Sequence, residues 1–188
     1  MEKNLKDLLI NELHDLFSAE EQIVQALPEM INAAESPELK KAFQSHLKET
    51  KGQMQRLEKI FKLLKIARKE KFCNATKGLI EECKEVLKDF KRQSSVRDAA
   101  LISKVQRIEH YEISAYGTVR TFATELDLDE VADLLQATLE EEANADKKLT
   151  KIAEGGLLSS GVNQEATAPD GDAPKEKAKT RKEGRKKE

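Results

Sequence analysis

The chain of 188 residues is long enough for one domain with a real core and too short for two ordinary ones. Charged residues make up 36% and aromatics 4%, with no Trp, four Pro and eight Gly, the balance of an all-helical protein rich in Glu, Lys, Leu and Ala. No apolar stretch approaches the roughly 18 residues of a membrane span, and no Gly-rich phosphate loop, Ser-His-Asp set or zinc pattern appears, which argues against the common nucleotide and hydrolase classes.

The N-terminus "MEKNLKDLL" is charged and amphipathic, without an apolar run before a small-residue cleavage site, so a cytoplasmic protein is the expectation. Helix 1 is predicted from about residue 3 to 34, with the stripe Leu9, Leu13, Leu16, Phe17, position 20, Val24, Leu27, Ile31 and a kink at Pro28. "ESPE" at 35–38 restarts the chain, Ser36 as cap and Pro37 as first-turn residue. Helix 2 runs to about 66 through Leu39, Phe43, positions 46, 49 and 53, Leu57, Ile60, Phe61 and Leu64. After the charged break "KIARKEK", residues 74–92 form a shorter helix through Leu79, Cys83, Val86, Leu87 and Phe90.

Cys73 and Cys83 fit neither a redox CxxC nor a zinc knuckle and are expected as small apolar residues on a helix. Ser95 with Asp98 opens the third long helix, about 96–126; the fourth spans about 129–153 and stops at "EGG". Residues 1–157 are thus expected to form the bundle and 158–188 a disordered tail. Its last fifteen residues, 174–188, hold eight Lys or Arg against three Glu, leaving 25 basic and 32 acidic residues before them. Such a tail can meet nucleic-acid phosphates, but it is short, lacks aromatics and rides on an acidic body, which favours a solubilising role.

Two hairpins with a roughly 30-residue link between helices 2 and 3 predict an all-α, ferritin-like four-helix bundle, the shorter helix riding in the crossover. Every long stripe is interrupted near its middle: by Glu20, by His46 and Glu49, by Glu109 and Glu112, and by Glu142 with Asp146. Glu20 and Glu49 lie about 15 and 14 residues from the first turn, and Glu112 and Glu142 about 15 from the second. At about 1.5 Å per residue, all four helices bring carboxylates to one depth. Buried together and unpaired, such charges are costly. Shared protons or one or two cations make them tolerable; no Lys or Arg stands in the stripes at that level, and metal is the most economical answer.

The segments "SAEEQIVQALPEM", "HLKETKGQMQRLE", "VRDAALISKVQRIEHYEISAYGT" and "LLQATLEEEANADKKLT" resemble the YciF-type stress proteins, a branch of the ferritin-like superfamily, over about residues 4–153. The resemblance implies a rubrerythrin-like bundle with a carboxylate-bridged dinuclear metal site, often in a homodimer. Glu20, Glu49, Glu109 and Glu142 match the four glutamates of the superfamily pattern, and Glu112 resembles an extra glutamate of rubrerythrin-like sites. The histidines depart from it: Gly52 and Ala145 stand where the pattern has His, while His46 and Asp146 lie on the same helix faces. The oxygen-rich set leans towards two Fe or Mn ions over zinc or copper. Gln53 is expected to orient a ligand, and His110 to sit beside the ligands or at an interface. Tyr116 is expected chiefly to pack, with hydrogen bonding or phenol redox chemistry as alternatives; His14 is expected at the surface.

Three functions remain open at this stage: a redox metalloprotein reducing hydrogen peroxide or oxidising Fe(II), a metal-binding stress protein without turnover, and a structural or interaction protein.

Overall fold

The structure, a computed structural model, describes residues 4–92, 94–156 and 159–167. Four long helices, α1 (Leu5–Ala33), α2 (Pro37–Leu63), α4 (Ser95–Glu125) and α5 (Asp129–Glu154), form the ferritin-like bundle, with the shorter α3 (Asn74–Asp89) in the link between α2 and α4. α1 packs on α2 and α4, and α5 packs on the same two helices, so that neighbours run antiparallel. α2 and α4 therefore point the same way, and the link must cross the bundle's length to join them; α3 lies in it against α1 and α4. Among the described residues, no helix is long and apolar enough to cross a membrane.

Local signals set the helix ends. A capping box opens α1: Asp7 N–H donates to Asn4 Oδ1 at 3.0 Å, and Asn4 N–H to Asp7 Oδ2 at 3.1 Å. The helix continues across Pro28, which is exposed, so its missing donor faces solvent. Ser36 caps α2 by accepting from Leu39 N–H at 3.3 Å. Lys65 and Asp127, at φ 54° and 55°, turn the chain out of α2 and α4.

Arg97 and Asp98 act elsewhere than on their own helix. The N-cap of α4 is Ser94, which accepts from Arg97 N–H at 3.2 Å. Asp98 accepts from Glu35 N–H at 2.9 Å and Ser36 N–H at 2.6 Å, while the Arg97 guanidinium donates to the Ala33 and Phe90 carbonyls, the latter at 3.3 Å. Both side chains are buried and together clamp the α1–α2 turn to the start of α4.

The core comes as two apolar slabs. One gathers Ile23, Leu27 and Met30 with Phe43, Leu101, Val105 and Leu149; the other gathers Leu9, Leu13 and Leu16 with Leu57, Ile60, Val119 and Leu135. On α1 the buried stripe thus continues from Glu20 through Ile23 and Met30, with the expected Val24 and Ile31 half-buried to one side.

Cys83 is buried within α3 as expected, but Cys73 is the N-cap residue of that helix, its Sγ 3.3 Å from Thr76 Oγ1 and 3.1 Å from the Tyr111 hydroxyl. Both thiols are free. Of the expected tail, residues 159–167 form local structure that its composition did not suggest. Gly155, at φ 78°, ends the helix; a Cβ there would lie 2.3 Å from Gly161 N. Gly155–Gly156 (β1) pairs antiparallel with Ser159–Ser160 (β2), and Val162–Glu165 (α6) returns onto α4 and α5 with Val162 buried. The basic segment 174–188 lies outside the described residues.

Candidate metal centre

Between the two slabs lies a polar layer. On α2, residues 46, 50, 53 and 57 advance by four, three and four, one helical face, and the first three are His46, Thr50 and Gln53, all buried. The same rhythm places Glu109, Glu112 and Tyr116 on the inner face of α4, Thr138 and Glu142 on that of α5, and Glu20 on that of α1. Glu20, Glu109, Glu112 and Glu142 are each no more than 1% exposed.

His46, Glu109, Glu112 and Glu142 each offer one ligand atom, and these four atoms lie within 4.8 Å of one another. His46 Nε2 is 3.3 Å from Glu109 Oε1. Beside them, the Tyr116 hydroxyl donates to Glu20 Oε1, and Gln53 Nε2 donates to Glu142 Oε1 and, at 3.1 Å, to Glu141 Oε2. Gln53 thus holds two carboxylates, Glu142 in the layer and Glu141 at its edge, and Tyr116 holds Glu20.

Most of the layer's remaining carboxylate and imidazole atoms have no such partner. Among the described residues, eleven buried side-chain nitrogen or oxygen atoms lack a hydrogen-bond partner, and nine belong to Glu20, His46, Gln53, Glu109, Glu112 and Glu142. Native interiors leave few such atoms, because each costs about 1–3 kcal/mol. Their concentration at one depth calls for a common partner. The electrostatics agree: burial first, then the neighbouring Glu142, pushes Glu20, Glu109 and Glu112 well above the ordinary carboxylate range. Burial pushes Glu142 up to about 7, partly offset by the neighbouring Glu109 carboxyl and then by the Gln53 hydrogen bond. His46 is pushed down to about 4 by burial and then by Lys148. Without a cation, the cheap state of this layer is a neutral one.

The donor set fits a divalent or trivalent cation. One imidazole and several carboxylates, with free lone pairs converging from three helices, are the ligands that iron and manganese accept. Among the described residues no Lys or Arg ion-pairs with the four buried glutamates. Arg56 stands near, yet it spends its charge on Glu141 through bonds of 3.0 and 2.8 Å and donates to Thr138 Oγ1 at 2.6 Å.

Not every expected residue joins the layer. Glu49 is half-buried and accepts from Ser45 Oγ at 3.1 Å, because it lies about 60° round the helix from His46, whose face is the one turned inward. Asp146 is half-buried one turn beyond Glu142, accepting from Gln106 Nε2 at 2.9 Å. His110, exposed, lies 3.3 Å from Asp146 Oδ1, outside the cluster. His14 is not at the surface: it is buried, stacked on Phe61, with Nδ1 2.6 Å from the Ile10 carbonyl and Nε2 3.2 Å from that of Ala67. Glu141 is half-buried, the partner of Arg56 and Gln53. That trio was missed, although Arg56 follows Gln53 by three residues and Glu141 precedes Glu142.

The likeness to known proteins spans this whole arrangement. A family model described as a domain of unknown function, DUF892, matches residues 4–167. Protein YciF of Escherichia coli K12 is 44% identical over 154 residues, covering 80% of this chain and 91% of that one. The crystal structure of the E. coli stress protein YciF superposes with a TM-score of 0.77 at 42% identity, covering 80% of this chain and 94% of that one. YcfI of Rhodopseudomonas palustris gives 0.77 at 39%, covering 80% and 96%. A Xanthomonas campestris protein shares the fold at 18% identity and a TM-score of 0.62, covering 79% and 89%. The chain belongs to the DUF892 family of YciF-type proteins.

Proposed function

We propose that this chain is a stress-associated ferritin-like protein whose polar layer holds two Fe or Mn ions, used to reduce hydrogen peroxide or to oxidise Fe(II). The observation that carries the proposal is the set of orphaned donors on His46, Glu109, Glu112 and Glu142, with Glu20 beside them. The stress association rests on the likeness to E. coli YciF, and a homodimer on the family resemblance alone.

In this reading His46, Glu109, Glu112 and Glu142 hold the ions, with Glu20 completing the carboxylate set. When bound, such ions supply one-electron redox steps at a shared site. The chain's own residues do the rest. Gln53 and Tyr116 fix the carboxylates of Glu142 and Glu20, the role partners beyond the ligands usually take. The two apolar slabs keep bulk water from the layer along the bundle axis.

The test loads the protein with Fe(II) or Mn(II) and follows peroxide consumption with an added electron donor, and oxidation of excess Fe(II) by dioxygen or peroxide, in the wild type and in Glu109→Gln. Sustained consumption of either substrate by the wild type alone is expected. A loaded wild type that does neither faster than buffer would leave a non-catalytic protein with a purely structural metal site.

A further inference from the structure

The polar layer is almost sealed, and a cation needs a way in. The apolar slabs close both ends. On one side, however, α2 and α5 leave a groove of about 140 Å³ between them, its walls including His46, Glu49, Glu109, Glu141, Ala145 and Lys148. At about 30 Å³ per water, it has room for a partly hydrated ion. Its inner end is His46, 5% exposed with neither ring nitrogen hydrogen-bonded, next to the orphaned Glu109 carboxylate. Its outer part reaches the exposed Lys148 and Asn144.

The three carboxylates on these walls are held differently. Glu109 is buried at the inner end, and Glu141 is pinned by Arg56. Glu49 is half-buried, its carboxylate anchored by the Ser45 hydroxyl at 3.1 Å. A single neutral hydrogen bond of this kind is worth only about 1 kcal/mol, so this side chain can swing.

We propose that the α2–α5 groove is the entry port for a divalent cation, with Glu49 capturing the ion at the mouth and passing it inward to His46 and Glu109. This rests on the metal-centre reading above. Lys148 lines the same groove, and its charge opposes entry.

Co(II) uptake, followed by stopped-flow absorbance at low ionic strength, separates the two ideas, since the end-point counts bound metal and the rate reports the port. Glu49→Gln is expected to load about tenfold more slowly to the wild-type end-point, the gap shrinking with salt. Lys148→Gln is expected to load faster. Glu140→Gln, exposed on α5 and off the groove, is expected to match the wild type. Wild-type rates in Glu49→Gln overturn the port and leave the centre standing. A reduced end-point in Glu49→Gln overturns the hand-over and makes Glu49 a resident ligand. A wild type that binds no Co(II) overturns centre and port together.

Discussion

Nε2 of His46 stands 3.3 Å from Oε1 of Glu109, yet the two do not form an ion pair at neutral pH. Burial pushes the imidazole down to about 4 and the Glu109 carboxyl well above its ordinary range, so each is driven towards its neutral form. The layer is a store of protons that a cation can replace.

Stability of the metal-free protein should therefore fall as pH rises. Carboxyls raised in the folded state contribute stability that is complete below about 4.5 and lost as pH climbs through the folded value, which for Glu142 is about 7. His46, depressed from 6.5 to about 4, works the other way, contributing above 6.5 and losing that contribution as pH falls towards 4. Four raised carboxyls outweigh one imidazole. Thermal melts of metal-free protein between pH 5.5 and 8 should show Tm decreasing, as the unfolding free energy falls by up to about 1.4 kcal/mol per pH unit for each proton released on unfolding. A Tm that rises over this range would contradict the account.

Metal binding should release protons. Carboxylates must be deprotonated to ligate, so affinity should increase with pH through the region around 7 where Glu142 titrates. Calorimetry of Mn(II) binding in buffers of different ionisation enthalpy should give a positive count of protons released; a count of zero at pH 6.5 would be inconsistent with a protonated layer.

Glu142→Gln should separate the cost of the layer from its use. The amide keeps an acceptor for Gln53 Nε2 and removes a carboxyl that burial disfavours when charged. In metal-free protein at pH 8 the variant should be more stable, by about 1 kcal/mol, and it should bind metal more weakly. Urea titrations with and without Mn(II) check both halves.

Asp98→Ala probes the scaffold apart from the chemistry. It removes a buried carboxylate that accepts from Glu35 N–H and Ser36 N–H at the α1–α2 turn, a loss of about 2–3 kcal/mol. The midpoint in urea should drop accordingly, while bound metal per folded chain stays unchanged, because the turn lies some 15 residues from the layer.

The common depth of Glu20, Glu112 and Glu142 was legible in the sequence because helical rise is constant and both hairpin turns carry clear breakers, although the same argument also put Glu49 there. Finer angles were not. His46 and Glu49 both fall within the apolar stripe of α2, and only the packing of Thr50, Gln53 and Leu57 decides which of them turns inward. The Ile23 and Met30 stripe differs from the expected Val24 and Ile31 by one residue, about 100° of rotation. Arg56–Glu141, His14–Ala67 and Asp98–Glu35 are contacts between segments far apart in sequence, which periodicity cannot pair. Residues 159–167 have the composition of a tail, yet α6 packs on α4 and α5 with Val162 buried.

The central claim is tested most directly by counting metal. Wild type and Glu109→Gln/Glu142→Gln, purified after expression with iron and manganese supplied, would be analysed for bound metal per chain by elemental mass spectrometry. Two ions of Fe or Mn per wild-type chain, lost in a folded double variant, is the result expected. A metal-free wild type that also binds neither ion on addition, or a double variant that keeps its full complement, would contradict it.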